Sequence, residues 1–159
     1  MQRKGWIRVA LFGLMLVVAN FTIAQDAKEV PLPKLPAGSG AVDKDAPKTF
    51  TATESGLKYR VLRAGKGAKP TAAQTVEVNY HGWLDNGTVF DSSYKRGESI
   101  SFPLNMVIKG WTEGMQLVGE GGMIELEIPA KIGYGARGAP PVIPGNATLH
   151  FVVELIDVK

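Results

Sequence analysis

The sequence predicts an α+β domain, an antiparallel sheet with one short helix, and three observations predict it. From about residue 53 to the end, apolar residues recur at every second position rather than every 3.6. Asp85-Asn86-Gly87, a turn tripeptide suited to positive φ, separates two such runs. One segment alone, around Trp111, shows helical spacing.

The elements follow in chain order. Leu57 to Leu62 is a short alternating run. Val76, Val78 and Tyr80 alternate with Glu77, Asn79 and His81, and Val76–Leu84 is expected to pair with Thr88–Phe90 as a hairpin. Trp111, Met115 and Leu117-Val118 repeat at i, i+4, i+7, with Gly110 before them and Gly119 after as a left-handed stop. Ile124, Leu126 and Ile128 alternate with Glu125 and Glu127, and Leu149, Phe151, Val153 and Leu155 with His150 and Glu154. Each run has one apolar face, as in an antiparallel sheet covered on one side. A single helix lying on that face gives two layers and one core. No segment repeats.

Composition narrows the function. The 159 residues are 45% hydrophobic and 21% charged, a globular balance that suits one domain with appendages. Cysteine is absent and there are two histidines, so a disulfide framework is excluded and the usual zinc and iron ligands are nearly missing. No cofactor is expected. The net charge of +3 resides in the first 24 residues, where Arg3, Lys4 and Arg8 meet no acid. Setting these three aside leaves 15 basic and 15 acidic side chains, and a neutral remainder gives no reason to expect nucleic acid or an anionic membrane as partner.

Residues 1–24 read as a secretory signal peptide: a basic start, an apolar run from Val9 to Ala19, and Thr22 and Ala24 at the −3 and −1 positions. Val9 to Ala24 is too short for a membrane span of roughly 20 residues. Export to the periplasm of a Gram-negative bacterium, or secretion, is the expected destination, with no membrane contact after cleavage. Residues 25–52 are rich in Pro, Lys and Ala and poor in large apolar residues. They read as a flexible, semi-extended linker, with docking of a short element on the domain as the less favoured alternative.

Some motifs lack their structural context. Gly133-Tyr134-Gly135-Ala136-Arg137-Gly138 spells G-x-G-x-x-G, but Pro140, Pro141 and Pro144 prevent the helix that a dinucleotide site needs. Gly119-Glu120-Gly121-Gly122 lacks the Lys-Ser/Thr of a phosphate loop and reads as a turn. His81, Asp91 and Ser92 or Ser93 offer triad residue types without a nucleophile elbow. His81 falls on the polar face of its strand.

The informative residues are aromatic and apolar: Tyr80, Phe90, Val107-Ile108, Trp111, Tyr134 and Phe151. A small sheet core accounts for several of them. It does not account for Asp91 beside Phe90, nor for the Pro/Gly loop from Gly133 to Gly145, too long for a simple hairpin. Val78-Asn79-Tyr80-His81-Gly82-Trp83-Leu84, Gly87 to Ser93, Val107-Ile108-Lys109-Gly110-Trp111, Gly133-Tyr134-Gly135 and Ile143-Pro144-Gly145-Asn146-Ala147-Thr148-Leu149 occur in order. Together they resemble the FKBP-type peptidyl-prolyl cis-trans isomerases over the whole of residues 53–159.

The resemblance implies a twisted antiparallel sheet wrapped around one short helix, with a proline pocket between them. It implies Trp111 as the pocket floor, with Tyr80, Phe90, Val107, Ile108 and Phe151 as walls. Tyr134 would offer its hydroxyl, with Val142 and Ile143 near it, and the Ile108 N–H would bond a substrate carbonyl. Asp91 would lie at the edge with Tyr80 and Arg96. Ile100 stands where many members have an aromatic residue, Ala139 where the best-known members carry a histidine, and Met106 where they carry an acid. These departures bear on macrolide affinity and sequence preference. The implied activity is isomerisation of X–Pro bonds in unfolded or nascent polypeptides without metal, with macrolide inhibitors as further ligands; a monomer is the default expectation. The alternatives are a proline-binding or partner-binding module, or a holdase chaperone, with little catalysis.

Overall fold

The computed structural model describes residues 28–159, so the signal-peptide reading lies outside it. Seven strands, β1 (Thr51–Ala52), β2 (Lys58–Arg63), β3 (Thr75–Leu84), β4 (Val89–Ser92), β5 (Ile100–Pro103), β6 (Met123–Ile128) and β7 (Leu149–Val158), form one antiparallel sheet. Its order is β1-β2-β6-β7-β3-β4, with β5 also on β3. Two helices, α1 (Ser93–Arg96) and α2 (Lys109–Met115), complete it.

The period-two pattern positions this sheet as expected. In β3 every even-numbered residue is buried and every odd one half-buried. Ile124, Leu126 and Ile128 of β6 face Val153, Phe151 and Leu149 of β7 in register. With Val76, Val78, Trp111 and Met115 they form the main core between the sheet and α2. Full burial of each such side chain contributes about 1.5–3 kcal/mol. The hairpin forms: Gly87 takes φ 80°, and the Leu84 N–H donates to Thr88 at 3.0 Å.

The structure corrects the helix bounds. α2 begins before Gly110 and ends at Met115, with Gln116 as its cap, rather than running to Gly119. Gly110 and Gly114 lie inside it, because a Cβ at these positions would stand 2.5 Å from Ile128 Cγ2 and 2.7 Å from Leu126 Cδ2. The helix therefore packs against β6 at a distance that only glycine permits. A second helix, α1, and strand β5, four residues each, are too short to display a hydrophobic period.

The segment expected to be a flexible linker is instead laid over the outer face of the sheet. Arg60 donates to the carbonyls of Val30 and Pro31, each at 2.7 Å, and Arg63 to that of Ala41 at 2.8 Å. The Asp43 N–H donates to the Leu62 carbonyl at 2.8 Å, and the Gly40 N–H to Glu154 at 2.8 Å. Leu35 and Val42 pack on Leu62, Met123 and Val152, a second apolar cluster with Trp83 beside it. The physical reason is that the outer face is not uniformly polar: it presents Leu62, Met123, Val152 and Trp83, and this strap keeps them from water.

Candidate active site

On the inner face, between α2, β3, β4, β5 and the 133–148 loop, lies an open cavity of about 510 Å³. Trp111 is 5% exposed at its base. Tyr80 meets its ring edge-on at 5.4 Å, Phe151 at 5.2 Å and Phe102 at 5.5 Å, and Phe90 meets Phe151 at 5.3 Å. Such edge-to-face pairs add about 0.5–1.5 kcal/mol each beyond burial and hold the rings in fixed orientations.

Each wall has a local cause. Tyr80 and Gly82 face inward by the alternation of β3, and Gly82 leaves room for Phe90 and Phe151, whose ring atoms would stand 2.7 Å from any Cβ there. A register shift between Gly82 and Trp83 changes the pairing on β4, so that Asp91 stands opposite Gly82. Ile108 is the N-cap of α2, with extended backbone (φ −57°, ψ 146°), and its carbonyl accepts from Trp111 and Thr112 at 2.9 and 3.1 Å. The 133–148 loop is pinned by a bridge between Ala139 and Ile143 and by the Asn146 N–H on the Gly135 carbonyl at 2.8 Å.

Three polar groups stand at the rim. Asp91 accepts from the Tyr80 hydroxyl through one oxygen and from Arg96 through the other. Arg96 also donates to the Tyr80 oxygen at 3.1 Å, and the Ser92 N–H to Asp91 at 2.8 Å. Burial works to raise the Asp91 pKa, but the hydrogen bonds from Tyr80 and Arg96 outweigh it and hold the carboxyl below its ordinary value. Burial, reinforced by the bond to Asp91, pushes the Tyr80 phenol up. The rim thus carries a fixed carboxylate, a fixed cation and a neutral phenol.

Tyr80, Phe90, Asp91, Ile100, Val107, Ile108, Trp111, Tyr134, Val142, Ile143 and Phe151 all line this cavity. Arg96 does not; it sits over the Tyr80 ring at 5.5 Å and acts on the cavity through Asp91. Three further residues line it: Met106 and Ala139, which the resemblance marks as departures bearing on ligand affinity, and Phe102, which it does not single out. Phe102 carries no sequence signal, since its strand, β5, is four residues long and ends in proline. Ile100, Met106, Tyr134 and Val142 are exposed, giving the cavity an apolar mouth. Among the described residues no group of three His, Asp or Glu side chains could hold a metal, and no helix is long and apolar enough to cross a membrane.

An aromatic slot with a Tyr–Asp–Arg rim, on an antiparallel sheet wrapped over one helix, is an apolar surface bordered by fixed charges. The sequence profile of the FKBP-type peptidyl-prolyl cis-trans isomerases matches residues 66–156. A probable FKBP-type peptidyl-prolyl cis-trans isomerase of Haemophilus influenzae is 51% identical over 112 residues, 70% of this chain and 46% of the relative. The isomerase Mip of Coxiella burnetii is 52% identical over 105 residues, 66% of this chain and 46% of its own. The crystal structure of FkpA from Escherichia coli superposes with a TM-score of 0.67 at 51% identity, covering 69% of this chain and 51% of that one. That of AtFKBP13 gives 0.66 at 35%, covering 69% and 98%. The chain belongs to the FKBP-type peptidyl-prolyl cis-trans isomerase family. It spans less than half the length of these two curated relatives.

Proposed function

We propose that the protein is a peptidyl-prolyl cis-trans isomerase that acts on X–Pro bonds of unfolded or nascent polypeptides. The observation that carries this reading is the slot floored by Trp111 and walled by Tyr80, Phe90 and Phe151, with Asp91 fixed at its edge.

The chemistry needs no nucleophile. Rotation about the amide C–N bond faces a barrier of about 18–20 kcal/mol, set by resonance. X–Pro exchange without a catalyst takes tens to hundreds of seconds. In the twisted transition state resonance is lost and the amide carries less separated charge. An apolar, aromatic surface therefore favours that state over the planar ground state, and differential binding of this kind lowers the barrier. The prolyl ring rests on Trp111 between Tyr80 and Phe151. The Ile108 N–H holds the carbonyl on one side of the twisting bond and the Tyr134 hydroxyl supports the other, so that the bond turns rather than the whole peptide. Val107, Val142, Ile143 and Ile100 contact the flanking residues. Asp91 keeps Tyr80 and Arg96 in place and transfers no proton.

The leader-like residues 1–24 support a role in the folding of exported proteins, in the periplasm or outside the cell. The neutral remainder gives no reason to expect nucleic acid or an anionic membrane as partner. The test is cis-to-trans exchange of an X–Pro peptide by the chain, with and without a macrolide inhibitor. Acceleration abolished by the inhibitor is the expected result. Absence of acceleration by folded protein that still binds the peptide overturns the enzyme in favour of a proline-binding module.

A further inference from the structure

Behind the site, on the outer face, His81 of β3 stands directly opposite Ser92 of β4. Side chains of facing residues project on the same side, with Cβ atoms about 4.5–5.5 Å apart. His81 Nδ1 and Ser92 Oγ are both buried, and neither has a hydrogen-bond partner among the described residues. Buried polar atoms are rarely left unpaired. Two orphans on facing residues, one a nitrogen able to accept and one a hydroxyl able to donate, form a complementary couple.

The surroundings favour neutral imidazole. Lys34 of the strap and Tyr94 and Lys95 of α1 border His81 on one side, and Glu125, Glu127 and His150 share a groove with it on the other. Both carboxylates are already engaged, Glu125 by Arg60 and Glu127 by Lys58, each at 2.6 Å. The two lysines are left facing His81. Burial, then the Lys95 charge, pushes the His81 pKa below its ordinary value.

Ser92 is also the link to the site. Its N–H donates to Asp91, and the next residue, Ser93, accepts from the Tyr80 N–H at 2.9 Å. We propose that the Ser92 hydroxyl, on rotation of its side chain, donates to Nδ1 of neutral His81, and that this pair fixes β4 so that Asp91 stays against Tyr80 and Arg96. His81 is then a positioning residue for the isomerase, a role that rests on the functional reading above. Because its folded pKa is depressed, the pair is intact above the ordinary histidine value of about 6.5 and is lost as pH falls through the folded pKa below it.

Two measurements on the full chain test this: X–Pro exchange from pH 8 to pH 5, and an NMR titration following the His81 ring and the Ser92 amide. The expected rate falls about threefold below pH 6.5, the scale of one lost hydrogen bond, and the Ser92 amide shifts with the His81 midpoint. His81→Phe and Ser92→Ala each lose about as much at pH 7.5 and show no further acid loss, and Ser92→Thr recovers activity. An acid limb that persists in His81→Phe, or a Ser92 amide indifferent to His81, overturns the proposal. Coupled shifts in a folded chain without exchange support the pair and overturn the isomerase reading instead.

Discussion

Arg60 donates to Glu125 at 2.6 Å with both side chains almost wholly buried, and its two remaining nitrogens reach the carbonyls of Val30 and Pro31. One guanidinium thus joins β2, β6 and the N-terminal strap. Removing one partner leaves a buried charge uncompensated, which typically costs about 3–5 kcal/mol. Glu125→Ala is expected to lower the unfolding free energy by about that much in a denaturant titration. Arg60→Met combined with Glu125→Leu is expected to recover most of it.

Deleting residues up to Phe50 removes the cover of Leu62, Met123, Val152 and Trp83 along with the carbonyls that Arg60 uses. The truncated chain is expected to unfold several degrees lower in a thermal scan, since about 1 kcal/mol shifts Tm by roughly 2–8 °C for domains of this range of sizes. An unchanged Tm would show that the strap is not part of the folded unit.

The strap is also tied to Glu154, which accepts from Gly40, Arg63 and Tyr94. Burial raises the Glu154 pKa, but the bonds from Tyr94 and Arg63 outweigh it, and the net shift is downward. A carboxylate with a depressed folded pKa contributes stability above its unfolded value and loses it as pH falls through the folded one. Protease cleavage after Lys34 or Lys44 is therefore expected to stay slow as pH falls to the ordinary glutamate range and to accelerate below it. Glu154→Gln is expected to remove that acid step.

Trp111→Leu and Asp91→Val change the slot without cutting the sheet ladders. Each is expected to lower the exchange rate by about tenfold, equivalent to roughly 1.4 kcal/mol of transition-state stabilisation, while the far-ultraviolet circular dichroism stays unaltered. Wild-type rates in either folded variant would remove that residue from the mechanism.

Gly114→Ala places a methyl group 2.7 Å from Leu126 Cδ2. Overpacking of this kind costs about 1–3 kcal/mol despite the better helix propensity of alanine. A measured gain in stability would show that α2 can lift off the sheet freely.

The alternation of β3, β6 and β7 is strong because each buries one face under α2, and the sheet follows from it directly. The end of α2 was less legible: Gly119 offers a stop, yet the helix closes at Gln116. β5 is not legible because Ile100-Ser101-Phe102-Pro103 is too short to display a period and ends in proline. Nor is the strap, because its apolar residues, Leu35 and Val42, are sparse, and its docking relies on backbone carbonyls, which every sequence has. Arg60 reads as a surface residue until the segment that buries it is in place. In the cavity, eleven expected residues come together; eight of them lie within the quoted motifs, whereas Ile100, Val142 and Phe151 lie outside them on β5, the long loop and β7. Phe102 and Met106 reach it from β5 and the turn after it.

The Gly40–Glu154 bond joins residues 114 positions apart, since Glu154 belongs to the final strand. A ribosome releases the strap first, and its docking surface is complete only once β7 has paired. Closing so long a loop is slow relative to local contacts. The opening stretch of the folded chain is thus the last to settle, and the outer face of the sheet stays bare until the final strand has arrived.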